Sequence, residues 1–197
     1  MINFEDHDSR IKFETHNSYD HTPEFAKSKH MHEIENAHPF VNGLDSKMDF
    51  DAVFEVVKDS VKFVLGKERS GLGLALSNLP STMGAYWQIG GNYIVMNENL
   101  VRAMERLASS FREFNSFVYM ILTHEYVHSL GFIDELEARR VTAMVASVAF
   151  GEKHHASRMS SGDLWNLYPQ LRYVASGNGD SLRIVSKFDS SATSYIA

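Results

Sequence analysis

The sequence predicts an α+β fold in which a small mixed sheet with an edge hairpin packs on a central helix, with a mostly helical C-terminal part. Three observations predict it. Apolar residues recur at intervals of three and four over 49–65, the spacing of an amphipathic helix. Gly90 and Gly91 separate two apolar segments, which is a hairpin signal. An apolar stretch over 117–122 contains no Gly or Pro and runs directly into a His/Glu motif, as a buried central helix should.

The elements ahead of the central helix follow from periodicity and from turn residues. The first helix, 49–65, is expected to end at Gly66, because glycine favours a helix stop. Alternating apolar residues predict a strand over 71–78. The two hairpin strands are expected over 83–89 and 92–97, joined by a two-residue turn.

Further helices are predicted on either side of the central one. Asn97 or Asn99 is a candidate N-cap for a helix that runs through about Ser110. The central helix is expected over about 115–130, and another helix over 134–150. Two weaker patterns complete the C-terminal part: a helical stretch over 163–174 that Pro169 interrupts, and a short strand over 181–185.

Length and composition predict one domain, 48–197, preceded by a polar arm, 1–47. The arm has little apolar periodicity, so it is expected to be extended or to order only against the body. It could bind metal or cover an active site, and a flexible polar tail is the alternative. Six of the ten histidines lie in the arm: His7, His16, His21, His30, His32 and His38.

Composition also excludes several classes of protein. No apolar run approaches the 18 or so residues of a membrane span. The net charge of −6 and the lack of any Lys/Arg cluster longer than two residues argue against nucleic acid as the main partner. The chain has no Cys, which excludes disulfides and thiolate metal sites. Because the first residues also lack the segments of a signal peptide, a cytoplasmic location is predicted.

The most informative segment begins at His124 and reads HExxHxxGxxD. On a helix, His124 and His128 lie on one face with their Cβ atoms about 6 Å apart, so both imidazoles can reach one metal ion. Glu125 is rotated by about 100° and can hold a water beside the metal without being a ligand. Gly131 can adopt a positive φ and turn the chain so that Asp134 returns to the metal.

The residue types in this pattern indicate a particular chemistry. Two neutral imidazoles and one carboxylate, with a fourth position open for water, suit Zn²⁺. Bound zinc lowers the pKa of water toward neutrality and can polarise a peptide carbonyl. Glu125 would accept the proton of that water as a general base and pass it to the leaving amine. The sequence therefore predicts zinc bound by His124, His128 and Asp134, and hydrolysis of a peptide or protein substrate.

The extended motif resembles that of the zincins, which are zinc metallopeptidases, and in its longer form that of the metzincins. Asp134 stands where most metzincins have His, as in the snapalysin-like variant. The stretch from about Asp49 to Arg140 also resembles a family of small predicted zincins, in which helix, strand, hairpin and helix lead into the motif. The resemblance implies a zincin-like fold, and a substrate that pairs with the edge strand of the hairpin as an added antiparallel strand.

The third ligand and the surroundings of the metal leave alternatives open. The segment from Glu135 to Ala138 reads ELEA and resembles the ExxA of gluzincins, whose third ligand is a Glu on a following helix. Met159 lies in a segment that resembles the Met-turn of metzincins, and a plain surface loop is the alternative. Four residues could reach the metal instead of Asp134: Glu135, Glu137, His154 and His155. Four side chains could stabilise an oxyanion: His154, His155, Tyr168 and Tyr173.

Two other classes of function compete with hydrolysis. One is a zinc-bound but non-hydrolytic module that regulates or binds a peptide partner. The intact Glu125 argues against it, since a site without catalysis has no need of that residue. The other is a coincidental motif in a structural protein, which metal content would separate from the first two classes.

Overall fold

A small mixed β-sheet with several helices packed against it makes the chain an α+β protein. The structure, a computed structural model, describes residues 2–3 and 38–189. The strands within these residues are β1 (Ile2–Asn3), β2 (Gly73–Ser77), β3 (Met83–Trp87), β4 (Tyr93–Asn97) and β5 (Leu182–Ile184). The helices are α1 (Phe50–Leu65), α2 (Glu98–Leu107), α3 (Phe111–Ser129), α4 (Glu135–Phe150), α5 (His155–Ser161) and α6 (Leu164–Leu167), followed by a 3₁₀ helix (Pro169–Tyr173).

The sheet has the strand order β1-β3-β4-β2-β5. Strands β2 and β4 run parallel, with Gly73 opposite Tyr93, whereas β3 is antiparallel to β4 and β5 is antiparallel to β2. Strand β1 pairs antiparallel with the first part of β3, where Ile2 lies opposite Ala85. The sequence predicts that the hairpin supplies an edge strand, with 86–88 and 93–97 as the candidates. In the described sheet both β3 and β4 have a neighbour on each side, because β1 covers the first part of β3.

The hairpin between β3 and β4 has a longer connection than the two glycines predict. Five residues, 88–92, join the strands, so the prediction of a two-residue turn was wrong. Within this loop the Gly91 N–H donates to the Gln88 carbonyl over 2.7 Å, and Gly90 adopts a φ of 78°. The Trp87 indole donates to the Gly91 carbonyl at 2.8 Å. These bonds close a turn inside the predicted strand ends and therefore shorten both strands.

Side-chain caps define the helices on either side of this sheet. The Asp49 carboxylate accepts from the Ala52 N–H at 2.9 Å and starts α1, which ends at Gly66 with a φ of 64°. The Asn97 side chain accepts from the Asn99 N–H at 3.1 Å, so Asn97 rather than Asn99 is the cap of α2. The bounds of α1 are confirmed, and α2 ends three residues earlier than predicted.

The central helix α3 begins four residues earlier than predicted, because the Ser110 hydroxyl caps it by accepting from the Glu113 N–H at 3.2 Å. Every residue over 115–128 is buried, since α1, α4, α5 and β3 all pack against α3. Although α3 has 19 residues, neither it nor any other helix in the described part is long and apolar enough to cross a membrane. The helix is buried for most of its length, and its polar side chains are buried with it.

The C-terminal part is helical, but one of its helices was not predicted. Helix α5 occupies the segment in which Met159 was expected to form a Met-turn or a surface loop. Met159 is instead buried within this helix and packs in the main apolar core. The stretch over 163–174 divides at Pro169 into α6 and the 3₁₀ helix, and β5 forms within the expected strand.

The last ten residues of the predicted arm pack on the domain. The His38 Nδ1 lies 3.1 Å from the Val148 carbonyl, and the Phe40 ring contacts the ring of Phe150 at a centroid distance of 6.3 Å. Leu44 is fully buried. Within the described residues, the body of the domain therefore begins at residue 38, ten residues before the predicted boundary. Residues 4–37, with His7, His16, His21, His30 and His32, lie outside the described residues, so a metal-binding or covering role of the arm stays a prediction.

Candidate metal centre

Two histidines of α3 and one glutamate of α4 converge at the C-terminal end of α3. The Nε2 atoms of His124 and His128 lie 3.1 Å apart, as expected for side chains four residues apart on one helix face. One carboxylate oxygen of Glu135, Oε1, lies 3.4 Å from the His124 Nε2, and the other, Oε2, lies 3.3 Å from the His128 Nε2. These three side chains form a group that could hold a metal ion.

The separations within this group match the ligand shell of a tetrahedral ion. Zinc binds imidazole nitrogen at about 2.0–2.1 Å and carboxylate oxygen at similar distances, so two ligand atoms of a tetrahedral site lie roughly 3.3 Å apart. The observed separations run from 3.1 to 3.4 Å. The imidazoles are therefore already placed for such an ion, whereas the two contacts of Glu135 involve different oxygens, so binding through one oxygen would require the carboxylate to turn.

A hydrogen bond fixes the tautomer of His128. Its Nδ1 lies 2.7 Å from the Phe132 carbonyl. Because a carbonyl only accepts, Nδ1 carries the proton, and the neutral ring then has its lone pair on Nε2, the atom that faces Glu135. Phe132 belongs to the loop after α3, so this loop orients the imidazole as well as reversing the chain.

Burial favours the neutral form of the other imidazole. His124 is 2 % exposed. Burial lowers its pKa from the ordinary value, although Glu125 and Glu135 act in the opposite direction. A neutral imidazole is the form that binds metal ions. The buried His124 imidazole can therefore offer a nitrogen lone pair to a metal ion.

The loop between α3 and α4 brings Glu135, rather than Asp134, to the imidazoles. Gly131 adopts a φ of 104°, a conformation that residues with a Cβ rarely take, and so allows the predicted sharp turn. The Asp134 carboxylate accepts from the Glu137 N–H at 2.8 Å and caps α4. Side chains on a helix lean toward its N-terminus, and Glu135, the first residue of α4, leans back to His128. The geometry thus favours the alternative ligand over Asp134.

Glu135 is held as a carboxylate by its neighbours. Burial opposes its ionisation, but in the metal-free site hydrogen bonds donated by His124, His128 and Arg139 outweigh burial and keep its pKa far below the usual range. A metal ion bound to the two imidazoles would take the place of the two imidazole protons. The Arg139 Nε donates to Oε1 at 2.9 Å from one turn further along α4. The N-terminal end of a helix also favours negative charge.

Glu125, the predicted general base, is fully buried on α3 next to His124. Its negative charge raises the pKa of the His124 imidazole and so partly opposes the effect of burial. Two of the other predicted residues lie at the surface. Glu137 is exposed in the first turn of α4, and Tyr173 is 89 % exposed.

His154 and Tyr168 belong to other parts of the fold. The His154 Nδ1 accepts from the Ala156 N–H at 3.1 Å and caps α5, its ring stacks on Phe150, and burial lowers its pKa to about 4. His155 begins α5. Tyr168 donates to the Glu113 carboxylate at 2.7 Å, at the opposite end of α3. The structure does not bring these residues together with the metal candidate.

Arg69 ties the last turn of α3 to the loop between β3 and β4. Its guanidinium donates to the Ser129 carbonyl at 3.3 Å, and to the Gly91 carbonyl and the Asn92 side chain at 2.9 Å each. Its backbone N–H donates to the Tyr126 hydroxyl at 2.7 Å, which in turn donates to the Arg69 carbonyl at 3.0 Å. No pattern in the sequence predicts this role of Arg69, whereas the spacing of four residues from Glu135 could have pointed to Arg139.

Comparisons of the chain with protein-family models, with curated proteins and with solved structures give no match. The assignment of a function therefore depends on the geometry of the site.

Proposed function

We propose that the chain is a zinc-dependent metallopeptidase with a zincin-like fold. One observation carries the proposal: two imidazole nitrogens and a carboxylate lie 3.1–3.4 Å apart at the end of a buried helix. Two His and one Glu form the ligand set of one group of catalytic zinc sites, in which water or substrate takes the fourth position. Glu135 is the third ligand in this proposal, in place of Asp134.

The chemistry then divides between the metal and Glu125. A zinc ion held by the three ligands would acidify water and polarise a peptide carbonyl. Glu125 follows His124 on α3 and is buried beside it. In this position it accepts the proton of the attacking water and delivers it to the leaving amine.

Strand β3 is the proposed place for an extended peptide. It runs antiparallel to its sheet neighbour β4 and packs against α3, the helix that carries the histidines. Because β1 occupies the outer side of β3 from Met83 to Ala85, a peptide could add to the sheet by main-chain hydrogen bonds only along the part of β3 beyond Ala85. The residues opposite β1, Met83 and Ala85, lie in the first part of the strand, and Trp87 lies beyond them.

Zinc content and hydrolysis of a denatured protein test the proposal together. The wild-type chain should contain about one zinc and cleave the substrate, because the ligands and the base are all in place. Glu125→Gln should keep the zinc and lose activity by at least about 100-fold, since general base catalysis contributes that much or more. Glu137→Gln, an exposed acid on α4, is the matched control and should behave as the wild type.

Three other outcomes of these measurements would count against the proposal or change it. A wild-type chain without zinc contradicts the proposal. A chain that holds zinc but shows no hydrolysis supports the alternative, a zinc-bound module that binds or regulates a peptide partner. Equal activity of the wild type and Glu125→Gln would show that Glu125 is not the base.

A further inference from the structure

We infer that Arg139 is a positioning residue that selects which oxygen of Glu135 binds the metal ion, and the inference rests on the proposed function. Arg139 lies four residues after Glu135, on the same face of α4. Its Nε donates to Oε1 over 2.9 Å. Oε1 therefore accepts a hydrogen bond from the guanidinium while it lies 3.4 Å from the His124 Nε2, whereas Oε2 lies 3.3 Å from the His128 Nε2.

This arrangement has a consequence for the way in which the carboxylate coordinates. A Glu side chain can bind a metal through one oxygen or through both. A strong hydrogen bond from Arg139 to Oε1 competes with coordination by that oxygen. Glu135 then binds through Oε2 alone, and one position of a four-coordinate ion stays available for water or substrate.

The backbone of α4 supports the same geometry. Asp134 caps the helix through the Glu137 N–H, which fixes the first turn and with it the direction in which Glu135 leaves the helix. Arg139 is half-buried, with its side chain 32 % exposed, so packing restricts its own motion. A cap (Asp134), a ligand (Glu135) and the residue that orients the ligand (Arg139) therefore lie within about the first one and a half turns of α4.

Two effects of Arg139 on metal affinity oppose each other. Its positive charge repels a cation, but water and salt screen a partly exposed charge. Its hydrogen bond orients the ligand, and loss of such a partner typically lowers metal affinity by about 10- to 100-fold. We expect orientation to be the larger effect.

Titration of the metal-free full-length chain with Co²⁺ and Zn²⁺ tests this inference. Arg139→Met removes the donor and the charge, Arg139→Lys keeps the charge but not the planar fork, and Arg140→Met is the matched control on the exposed side of α4. We expect Arg139→Met to bind both metals about tenfold more weakly or worse. Its Co²⁺ absorption should fall in intensity, because a second carboxylate oxygen raises the coordination number above four. Arg139→Lys should lie between Arg139→Met and the wild type in affinity, and Arg140→Met should match the wild type.

Circular dichroism shows whether each variant is folded. If Arg139→Met does not fold, Arg139→Lys serves as the test variant. Equal or tighter metal binding by Arg139→Met, with an unchanged Co²⁺ spectrum, would overturn the inference while leaving the proposed function intact. A wild-type chain that binds neither metal overturns both. A wild-type chain that binds metal without hydrolysing peptides rejects the peptidase, and the comparison of the Arg139 variants still decides the positioning role.

Discussion

The two ends of helix α3 both bury polar side chains, but they satisfy them in different ways. At the N-terminal end the Asn115 amide donates to the carbonyls of Leu44 and Ser46 at 2.9 and 2.8 Å. The Glu113 carboxylate accepts from Ser109 and from the hydroxyl of Tyr168. The Asn115 amide and the Glu113 carboxylate therefore both have hydrogen-bond partners within the same chain.

At the C-terminal end of α3, by contrast, the ring nitrogens of His124 and His128 and the carboxylate of Glu135 lie close to one another. The two Nε2 atoms are 3.1 Å apart, and the two oxygens of Glu135 face them. His128 has its other ring nitrogen occupied by the Phe132 carbonyl. Lone pairs that point at one place repel each other unless a cation or protons lie between them.

This difference separates polar residues that stabilise a fold from polar residues that bind. Burial of a polar group is costly wherever it occurs, and a hydrogen-bond partner within the chain offsets the cost. The N-terminal end of α3 therefore needs no ligand, whereas the C-terminal end is arranged to receive one. Variants at the two ends should accordingly change different measured quantities.

The largest expected effect concerns the metal. Zinc at a free concentration 1,000 times its Kd should raise the free energy of unfolding of the wild-type chain by about 4 kcal/mol, because it binds the folded state. The double variant His124→Ala, His128→Ala should show no such increase, and His155→Ala is the matched control. Urea denaturation with and without zinc measures this. Equal stabilisation of the double variant would place the metal elsewhere and break the comparison.

The second prediction concerns the N-terminal end of α3. Asn115→Ala removes a donor from two carbonyls, one of them that of the buried Leu44, and should lower the free energy of unfolding by about 2 kcal/mol. The affinity for zinc should not change, since Asn115 lies more than two helical turns from His124. Urea denaturation of the metal-free chain and a zinc titration measure the two quantities. A loss of zinc affinity without a loss of stability would mean that the two ends are coupled.

The smallest effect separates the two acidic residues at the start of α4. Asp134→Ala should lower the free energy of unfolding by about 1 kcal/mol through loss of the cap, with little change in zinc affinity. Glu135→Ala should do the reverse, weakening zinc binding far more than stability. Urea denaturation of the metal-free chain and a zinc titration distinguish the two variants. If Asp134→Ala weakened zinc binding more than Glu135→Ala, the metzincin-like ligand set would be correct after all.

Most of the fold could be predicted because local rules agree with the final packing. Asp49 and Gly66 mark the ends of α1 as cap and stop, and the apolar run before His124 leads to a helix that is buried on all sides. The pairing of β1 with β3 could not be predicted, since it joins residues about eighty positions apart and involves only two residues of β1. Helix α5 was missed because its segment is rich in Ser and His.

The candidate site was predictable in part for a similar reason. His124 and His128 follow from helix geometry alone, whereas the third position depends on the residue at which α4 begins. An Asp followed by two acids in a first turn is also a good N-cap pattern, and Asp134 serves as the cap. If α4 began one residue later or earlier, a different acidic residue would be the cap and a different one would reach the metal. The spacing in the sequence does not determine the helix start to within one residue.

Arg69 has a consequence for motion around the site. It joins the last turn of α3, through Ser129, to the hairpin loop, through Gly91 and Asn92. These two segments can separate only if several hydrogen bonds break together, so on fast timescales they should fluctuate as one body. The helix that carries the histidines and the end of the proposed peptide-binding strand are thereby kept in register, and adaptation to substrates of different shape falls to the parts of the molecule that Arg69 does not hold.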